Sequence, residues 1–529
     1  MAEAAQTPNV AKAGGIMMAS LFLSRILGIV RESVINARFG QSSGVLDAYY
    51  NSFRIPDLLF FLIAGGALSS AFIPVFTELI KTDREDEAWH LFSSVVTIMS
   101  AIVTVFIVAA WVFAEPLIRF YAHDPPMLAE TVTMSRIVLP GQYAFFIGGL
   151  MMGTLYARQV FSVPGLSPNI YNLGIIFGAL FLTNFVVPSA AGMSWGALVG
   201  AFLGNILLPW YVMRQMGSKF SWRFDTKNEH VRKVFKLMLP VVLGLSLPGV
   251  FVLILGYYAN AYGSKGIVAA FTSGNQIMQA PLGMFGQSLA IAAFPALSQF
   301  FAQKRMDAYR DQLVRTLRLV FYLSAPVAAL MLAGPTEIVR ILLEHGRFTA
   351  EDTARTVPIL QLFAIGIPAW CLHPVLMRAF FSIQQSVRPI VVGTATTLLF
   401  VALCVGFQAA NLPHPMLALA GSLAAIVMVV VMVFSINKQA GPVDLASLTS
   451  GMWQATMASA AVGGAVWLAF SLLHKFGVTS SKIGLFLGSA LVFILAAWAY
   501  YFVTKFLKMP ETAYFNRALR RRSAPPSDG

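Results

Sequence analysis

Apolar runs of about twenty residues or more follow one another along almost the whole chain, separated by short polar links. A run of that length, wound as a helix, matches the ~30 Å hydrocarbon core of a bilayer. Composition points the same way. Of 529 residues, 57% are hydrophobic and only 11% are charged, whereas soluble domains have about 45–50% apolar and about 25% charged residues. Those values exclude an ordinary soluble enzyme, a disordered chain and a disulfide scaffold. The expected fold is an all-α polytopic membrane protein.

Fourteen spans are expected, at 14–36, 45–79, 89–113, 131–157, 166–188, 191–216, 232–262, 265–300, 309–334, 355–382, 387–409, 415–437, 452–473 and 481–507. Several contain Pro56, Pro140, Pro248, Pro281 or Pro368. A membrane tolerates such breaks where neighbouring helices or a water-filled cavity satisfy the freed backbone groups. The N-terminal apolar run is interrupted by Arg25 and Arg31. A cleavable signal has an uninterrupted apolar core, so this run is expected to be a retained first helix.

The net charge is +14, from 37 basic and 23 acidic residues. Most basic residues sit in short links between spans, which makes the excess a matter of topology, not of nucleic-acid binding. An even number of spans puts both termini on one side. That side carries about twenty-five basic residues, including Lys12, Arg214, Lys219 and Arg517 to Arg522, against about ten on the other. By the positive-inside rule both termini are expected to be cytoplasmic. The basic tail from Arg517 to Arg522 is expected to meet anionic headgroups.

The chain also repeats itself. Residues 52–74 align with 273–295 at a shift of 221, pairing Ser52 with Ser273, Gly65 with Gly286, Ala71 with Ala292 and Pro74 with Pro295. Pro116 and Arg119 are echoed by Pro335 and Arg340. Two halves of six spans in the same orientation are the plan of alternating-access transporters with a site between the repeats. The last two spans lie outside the repeat. The expected division is a cytoplasmic segment 1–13, an N-lobe 14–222, a C-lobe 223–440, a two-helix appendage 441–507 and a basic tail 508–529.

The sharpest functional candidate is Ser24-Arg25-Ile-Leu-Gly28-Ile-Val-Arg31-Glu32 in the first span. A charge at the bilayer centre costs about 2.5–3.5 kcal/mol on insertion scales, so two arginines in one span need a polar surrounding. Arg25, Gly28 and Glu32 share a stripe, while Arg31 lies about 100° round from Glu32, on the side of Ser24. Guanidinium groups bind phosphates bidentately and keep their charge. One reading is therefore an anion site for a phosphate or pyrophosphate. The other is a pair of snorkelling or structural ion pairs near the membrane surface. Asp47 and Arg54, seven apart in the second span, would share a face. They would pair with the first span or gate a cavity, or Asp47 would serve as a helix-start residue. Asn275, Gln276 and Gln279, with Ser273, would line a cavity or bond helices together. Gly28, Gly65, Gly66 and Pro281 are expected packing or hinge positions. Gly174-x3-Gly178 and Gly196-x3-Gly200-x3-Gly204 read as close helix packing.

Seven histidines without ligand spacing and two intraspan cysteines, Cys371 and Cys404, suggest neither a metal nor a disulfide. No GxxxxGK[ST] loop and no nucleophile–base set is present. An enzyme is not expected, and no cofactor beyond coupling to an ion gradient or the membrane potential.

The run 24–32, Asp47-Ala48, Phe53-Arg-Ile-Pro56-Asp-Leu-Leu59, Gly66-Ala-Leu-Ser-Ser-Ala71-Phe-Ile-Pro74, Gln279-Ala-Pro281-Leu-Gly283, Gly346-Arg-Phe-Thr349 and Arg378-Ala-Phe-Phe381 resemble the lipid II flippases of the MurJ (MviN) type. These belong to the multidrug/oligosaccharidyl-lipid/polysaccharide exporter superfamily. The resemblance implies two six-helix lobes round a cationic cavity, with two further helices forming a groove for a polyprenyl tail. It implies residence in the bacterial plasma (inner) membrane and a role in peptidoglycan synthesis and cell shape. The implied substrate is undecaprenyl-pyrophosphate-linked disaccharide pentapeptide (lipid II), moved from the cytoplasmic to the outer leaflet. Membrane lipids and cell-wall synthesis proteins would be its other partners. By resemblance, Arg25 and Arg31 meet the pyrophosphate, with Glu32 and Asp47 as the acidic positions and Arg54 as a helper. Where some relatives carry charges, this chain has Phe60-Phe61, Gly65, Gln276 and Gln279, which thins the cationic site. Two other readings remain open: an ion-coupled exporter of another lipid-linked oligosaccharide or drug, and a non-transporting membrane scaffold for wall synthesis.

Overall fold

The computed structural model describes residues 7–63, 67–123, 125–242, 247–385 and 387–513. All regular structure among them is helical. Eleven of the described helical stretches are long and apolar enough to cross a membrane, which makes the chain a polytopic all-α membrane protein. They correspond to the expected spans from residue 85 onward, apart from 232–262.

Two compact units divide the chain. The first holds Met1–Gln276 and Leu343–Asp352, the second Ile277–Leu342 and Thr353–Gly529. The first unit opens with α1 (Thr7–Phe39), followed by α2 (Val45–Ser52), α3 (Arg54–Ile63) and α4 (Ala67–Lys81). The expected second span is thus not one helix. Pro56 has no N–H to offer the Ser52 carbonyl, and the chain turns at Phe53 between α2 and α3. Next come α5 (Glu85–Val112), α6 (Ala114–Tyr121), α7 (Leu128–Val138), α8 (Gly141–Ala157), α9 (Ser162–Leu180), α10 (Ala191–Phe202), a π-helical turn (Leu203–Leu207) and α11 (Leu208–Gln215). The unit ends with α12 (Glu229–Val242), α13 (Leu247–Asn260) and the first part of α14 (Ile267–Pro281).

Its core is aromatic where α4 meets α5. Phe72, Phe76, Trp89 and Phe92 are buried and form a chain of ring contacts with centroids 5.2–5.8 Å apart. Each edge-on contact adds to simple area burial by about 0.5–1.5 kcal/mol. Three acidic residues, Glu85, Asp86 and Glu87, start α5, where they complement the positive end of the helix dipole. The glycine series does what its spacing suggests. A Cβ on Gly174 would lie 2.5 Å from the Gly196 carbonyl oxygen and 2.8 Å from the Gly200 Cα. The backbones of α9 and α10 therefore touch directly.

The second unit continues α14 into a π-helical turn (Leu282–Gln287) and α15 (Ser288–Ala302). Pro281 denies the helix one hydrogen bond, and the wider turn begins immediately after it. Then follow α16 (Met306–Ala333), α17 (Pro335–Leu343), α18 (Ala350–Ser382), α19 (Val387–Ala409), α20 (Met416–Ala440), α21 (Leu445–Lys475) and α22 (Lys482–Phe506). Asp444 caps α21 by accepting from Ser447 N at 2.8 Å, and Ser481 caps α22 by accepting from Gly484 N at 3.0 Å. The α21–α22 hairpin is fastened to this unit at both ends. Near one end, Arg318 of α16 meets the buried Glu511 at 2.5 Å. At the other, His474 meets the buried Glu337 of α17 at 2.6 Å. Between these, Tyr500 Oη donates to the Tyr322 carbonyl at 2.9 Å.

Candidate functional site

The first-span motif divides between two neighbours. Glu32 is 1% exposed, and a buried carboxylate requires donors. Three converge on its Oε1: Tyr50 Oη at 2.5 Å, Ser273 Oγ at 2.9 Å and Asn36 Nδ2 at 3.1 Å. Gln41 Nε2 extends the network by donating to Asn36 Oδ1 at 3.2 Å and to Ser273 Oγ at 3.3 Å. The result is a polar hub joining α1, α2 and α14. Glu32 Oε2 is buried with no hydrogen-bond partner among the described residues.

Arg31 turns the other way, as its 100° offset requires. Its Nη1 donates to Asn172 Oδ1 of α9 at 3.0 Å. Asn172 Nδ2 in turn donates to the Ser24 carbonyl at 3.3 Å and to Ser24 Oγ at 3.4 Å. One asparagine thus holds both Ser24 and Arg31, which lie two turns apart on the same face of α1. Arg25 is half-buried on that helix. Gly28 faces α14, where a Cβ would come within 2.7 Å of Gln276 Nε2.

Asp47 and Arg54 stand on separate helices, α2 and α3, either side of Phe53, yet both turn towards α13 and α14, where the cavities they line share Ala259 and Val268. Asp47 caps α14: its Oδ2 accepts from Gly266 N at 2.5 Å and its Oδ1 from Ala269 N at 2.8 Å. Both orphan donors lie at the positive end of that helix, where a carboxylate is favoured. Asp47 also lines a surface cavity with Asn51, His123, Asn260 and Lys265. Inside it, Asn51 and Asn260 exchange two amide hydrogen bonds of 2.9 and 3.0 Å. Arg54 is buried, 3.7 Å from Asp57. It lines a smaller cavity with Gly256, Thr272 and Asn275. Arg54 Nε and Asn275 Oδ1 are buried there without hydrogen-bond partners among the described residues.

Gln279 and Pro281 fall in the second unit. Gly65 and Gly66 lie outside the described residues. The functional partners absent from the sequence candidates are Asn172, Tyr50, Asn36, Gln41 and Asp352. Buried Asp352 accepts from Ser42 Oγ at 2.6 Å and from Gln41 N and Thr349 N at 3.2 and 3.1 Å. This pins the start of α18 and the link before it to the end of α1, where Arg347 N also donates to the Ala37 carbonyl at 2.7 Å. Gly346 passes this point at φ +59°, a region that glycine enters without steric cost. Asn36 carried a faint signal, being one turn beyond Glu32. Asn172 carried none, since its partners are more than a hundred residues away, and Asp352 showed only its local pairing with Thr349, not its reach to Gln41 and Ser42. Among the described residues, no cluster of three or more His, Cys, Asp or Glu is placed to hold a metal ion.

A helical membrane protein with charged and amide side chains buried inside its helix bundle has the makings of a polytopic transporter. Its fold is similar to that of the structure described as "Lipid II flippase MurJ, inward closed conformation", with a TM-score of 0.77 at 22% identity over 93% of this chain and 98% of that one. An inward-facing multidrug resistance MATE family transporter of the MOP superfamily also shares it, with a TM-score of 0.64 at 12% identity over 80% and 98% of the two chains. The family model "Lipid II flippase MurJ" matches residues 35–487. The chain belongs to that family. Among curated relatives, a probable lipid II flippase MurJ of Rhizobium tropici is 26% identical over 524 residues, 96% of each chain. The lipid II flippase MurJ of Burkholderia cenocepacia is 28% identical over 378 residues, covering 70% of this chain and 72% of that one.

Proposed function

We propose that this chain is a flippase that moves lipid II from the cytoplasmic to the outer leaflet of the bacterial inner membrane. The family match over residues 35–487 carries this reading. In it, fourteen spans form lobes at 14–222 and 223–440 with a two-helix appendage at 441–507, and both termini are cytoplasmic.

The pyrophosphate meets Arg25 and Arg31 from the cytoplasmic side. Asn172 supports this role for Arg31, because it holds one guanidinium nitrogen and leaves the others to take phosphate oxygens. Glu32 takes no part in binding the anion. It anchors α1 to α2 and α14, and Asp47 anchors α2 to the start of α14. Arg54 lies beside Asn275 and holds a second positive charge near α14. The polyprenyl tail stays in lipid along α21 and α22. Reorientation of the lobes then exposes the headgroup outside. A single charge moved through 100 mV supplies about 2.3 kcal/mol to such a cycle.

The test is genetic rescue. The resident lipid II flippase of a bacterium is depleted while this chain, Arg25→Ala or Arg31→Ala is expressed at matched membrane abundance. Rescue by the parent chain and failure of both variants is expected. Rescue by all three would keep the flippase and remove the arginine site. Failure of the parent chain despite good expression would overturn the substrate.

A further inference from the structure

The link between α11 and α12 is extended where it passes α5. Ser221 N donates to Ser93 Oγ and Arg223 N to Thr97 Oγ1, each at 3.2 Å. Ser93 Oγ lies 3.5 Å from the Lys219 carbonyl oxygen. The registers match for a simple reason. Ser93 and Thr97 are one helical turn apart, about 6 Å along α5, and Ser221 and Arg223 are about 6.6 Å apart in an extended chain. A helix with hydroxyls four residues apart therefore satisfies alternate amides of an irregular segment laid along it.

Phe220, Trp222 and Phe224 alternate with the residues whose amides meet α5. They are 46%, 72% and 68% exposed on the protein surface. Phe220 rests against Phe92 of α5, with centroids 6.3 Å apart, and Trp222 against Phe220 at 5.1 Å. Nearby, Trp210 and Tyr211 of α11 are also exposed. Between Arg214 and Lys236 the chain carries seven basic residues and two acidic ones.

Depth decides what this surface meets. This segment touches α5 eight to twelve residues beyond Glu85, about 12–18 Å along a helix that crosses the membrane. α5 has 28 residues, about 42 Å, against a hydrocarbon core of ~30 Å, and with the excess at its charged start this level falls in the headgroup and upper acyl region. Unpaired amides are costly there, and two of them are answered by Ser93 and Thr97. Aromatic rings are favoured at the same depth.

We propose that residues 218–225 form an interfacial anchor. Phe220, Trp222 and Phe224 embed at the headgroup–acyl boundary, and the basic residues of 214–236 outside the Lys219–Asp86 and Lys233–Glu78 pairs bind the anionic phospholipids of that leaflet.

The full-length protein, reconstituted in nanodiscs, tests this. A nitroxide is placed at Trp222→Cys and, separately, at Phe224→Cys; the native Cys371 and Cys404 are buried. Both labels are expected to collide with oxygen more than with a water-soluble nickel chelate. Equal access to the chelate at both positions would overturn the anchor. So would labels that stay water-exposed in lipid and become shielded only on addition of cell extract, which would point to a protein partner instead. In discs containing phosphatidylglycerol, Arg223→Ala and Lys227→Ala are each expected to weaken retention of that lipid roughly fivefold. Retention unchanged by both variants would overturn the charge half of the proposal.

Discussion

Tyr50 and Glu32, eighteen residues apart, meet through a buried hydroxyl-to-carboxylate hydrogen bond of 2.5 Å. Ser273, which follows Glu32 by 241 residues, reaches the same oxygen. A carboxylate placed in the first span for its charge is thus a structural joint between three helices.

Removing one donor from that joint has a defined cost. A hydrogen bond to a charged group contributes about 1.5–3 kcal/mol. Tyr50→Phe is expected to destabilise the protein by that amount, and Glu32→Ala by more, because it strands Tyr50, Ser273 and Asn36 together. Thermal unfolding in nanodiscs reads this directly. An unchanged midpoint for both variants would show that the joint holds nothing.

Asn172 positions Arg31 without touching substrate in the proposed site. Asn172→Ala is expected to reduce rescue of a flippase-depleted strain about tenfold, with Asn172→Asp retaining more because it still accepts from the guanidinium. Ten-fold is about 1.4 kcal/mol, below the usual value of a charged hydrogen bond. Equal loss in both variants, at equal membrane abundance, would place the effect in packing and not in Arg31.

The α9–α10 seam should reject a single methyl group. Gly174→Ala brings a Cβ to 2.5 Å from the Gly196 carbonyl oxygen, so two backbones must move apart, at a cost of about 1–3 kcal/mol. At Gly406 of α19 a Cβ meets nothing within 4 Å, and Gly406→Ala should be neutral or stabilising by up to about 1 kcal/mol. Folded yield after detergent extraction separates the two. Similar yields would argue that the seam is looser than its geometry.

Arg318→Ala leaves Glu511, whose side chain is 5% exposed, as an uncompensated charge. Breaking a buried pair from one side costs about 3–5 kcal/mol. The double variant Arg318→Ala/Glu511→Ala is expected to recover part of that loss. A double-mutant cycle on unfolding midpoints checks it, and purely additive losses would mean that the two side chains do not couple.

The helical class and the close approach of α9 to α10 were legible because both are local: run length and small-residue spacing encode them directly. The division of labour within the first-span motif was half legible. Periodicity placed Arg31 and Glu32 on different sides of α1, but not that one faces Asn172 and the other Tyr50 and Ser273. Those partners come from distant helices and depend on tertiary packing. The stripe drawn through Asp47 and Arg54 runs over two helices, α2 and α3, because Pro56 interrupts the single helix that would have carried it. Pro56 was visible in the sequence. That the chain turns at Phe53, four residues from Asp57, was not.

The α21–α22 hairpin behaves mechanically as a beam pinned at both ends. With Arg318–Glu511 at one end and His474–Glu337 at the other, it has no freedom to slide along α16. Between the pins α21 is packed on its inner face, where a Cβ on Gly463 would lie 3.3 Å from that of Ala329, and open on its outer face. Gly463 and Gly464 lie near the middle of α21, and nothing stands within 4 Å of a Cβ placed on Gly464. Glycine and serine pairs are where helices bend sharply. Any change of curvature in α21 would therefore fall at this pair, with the ends holding their place.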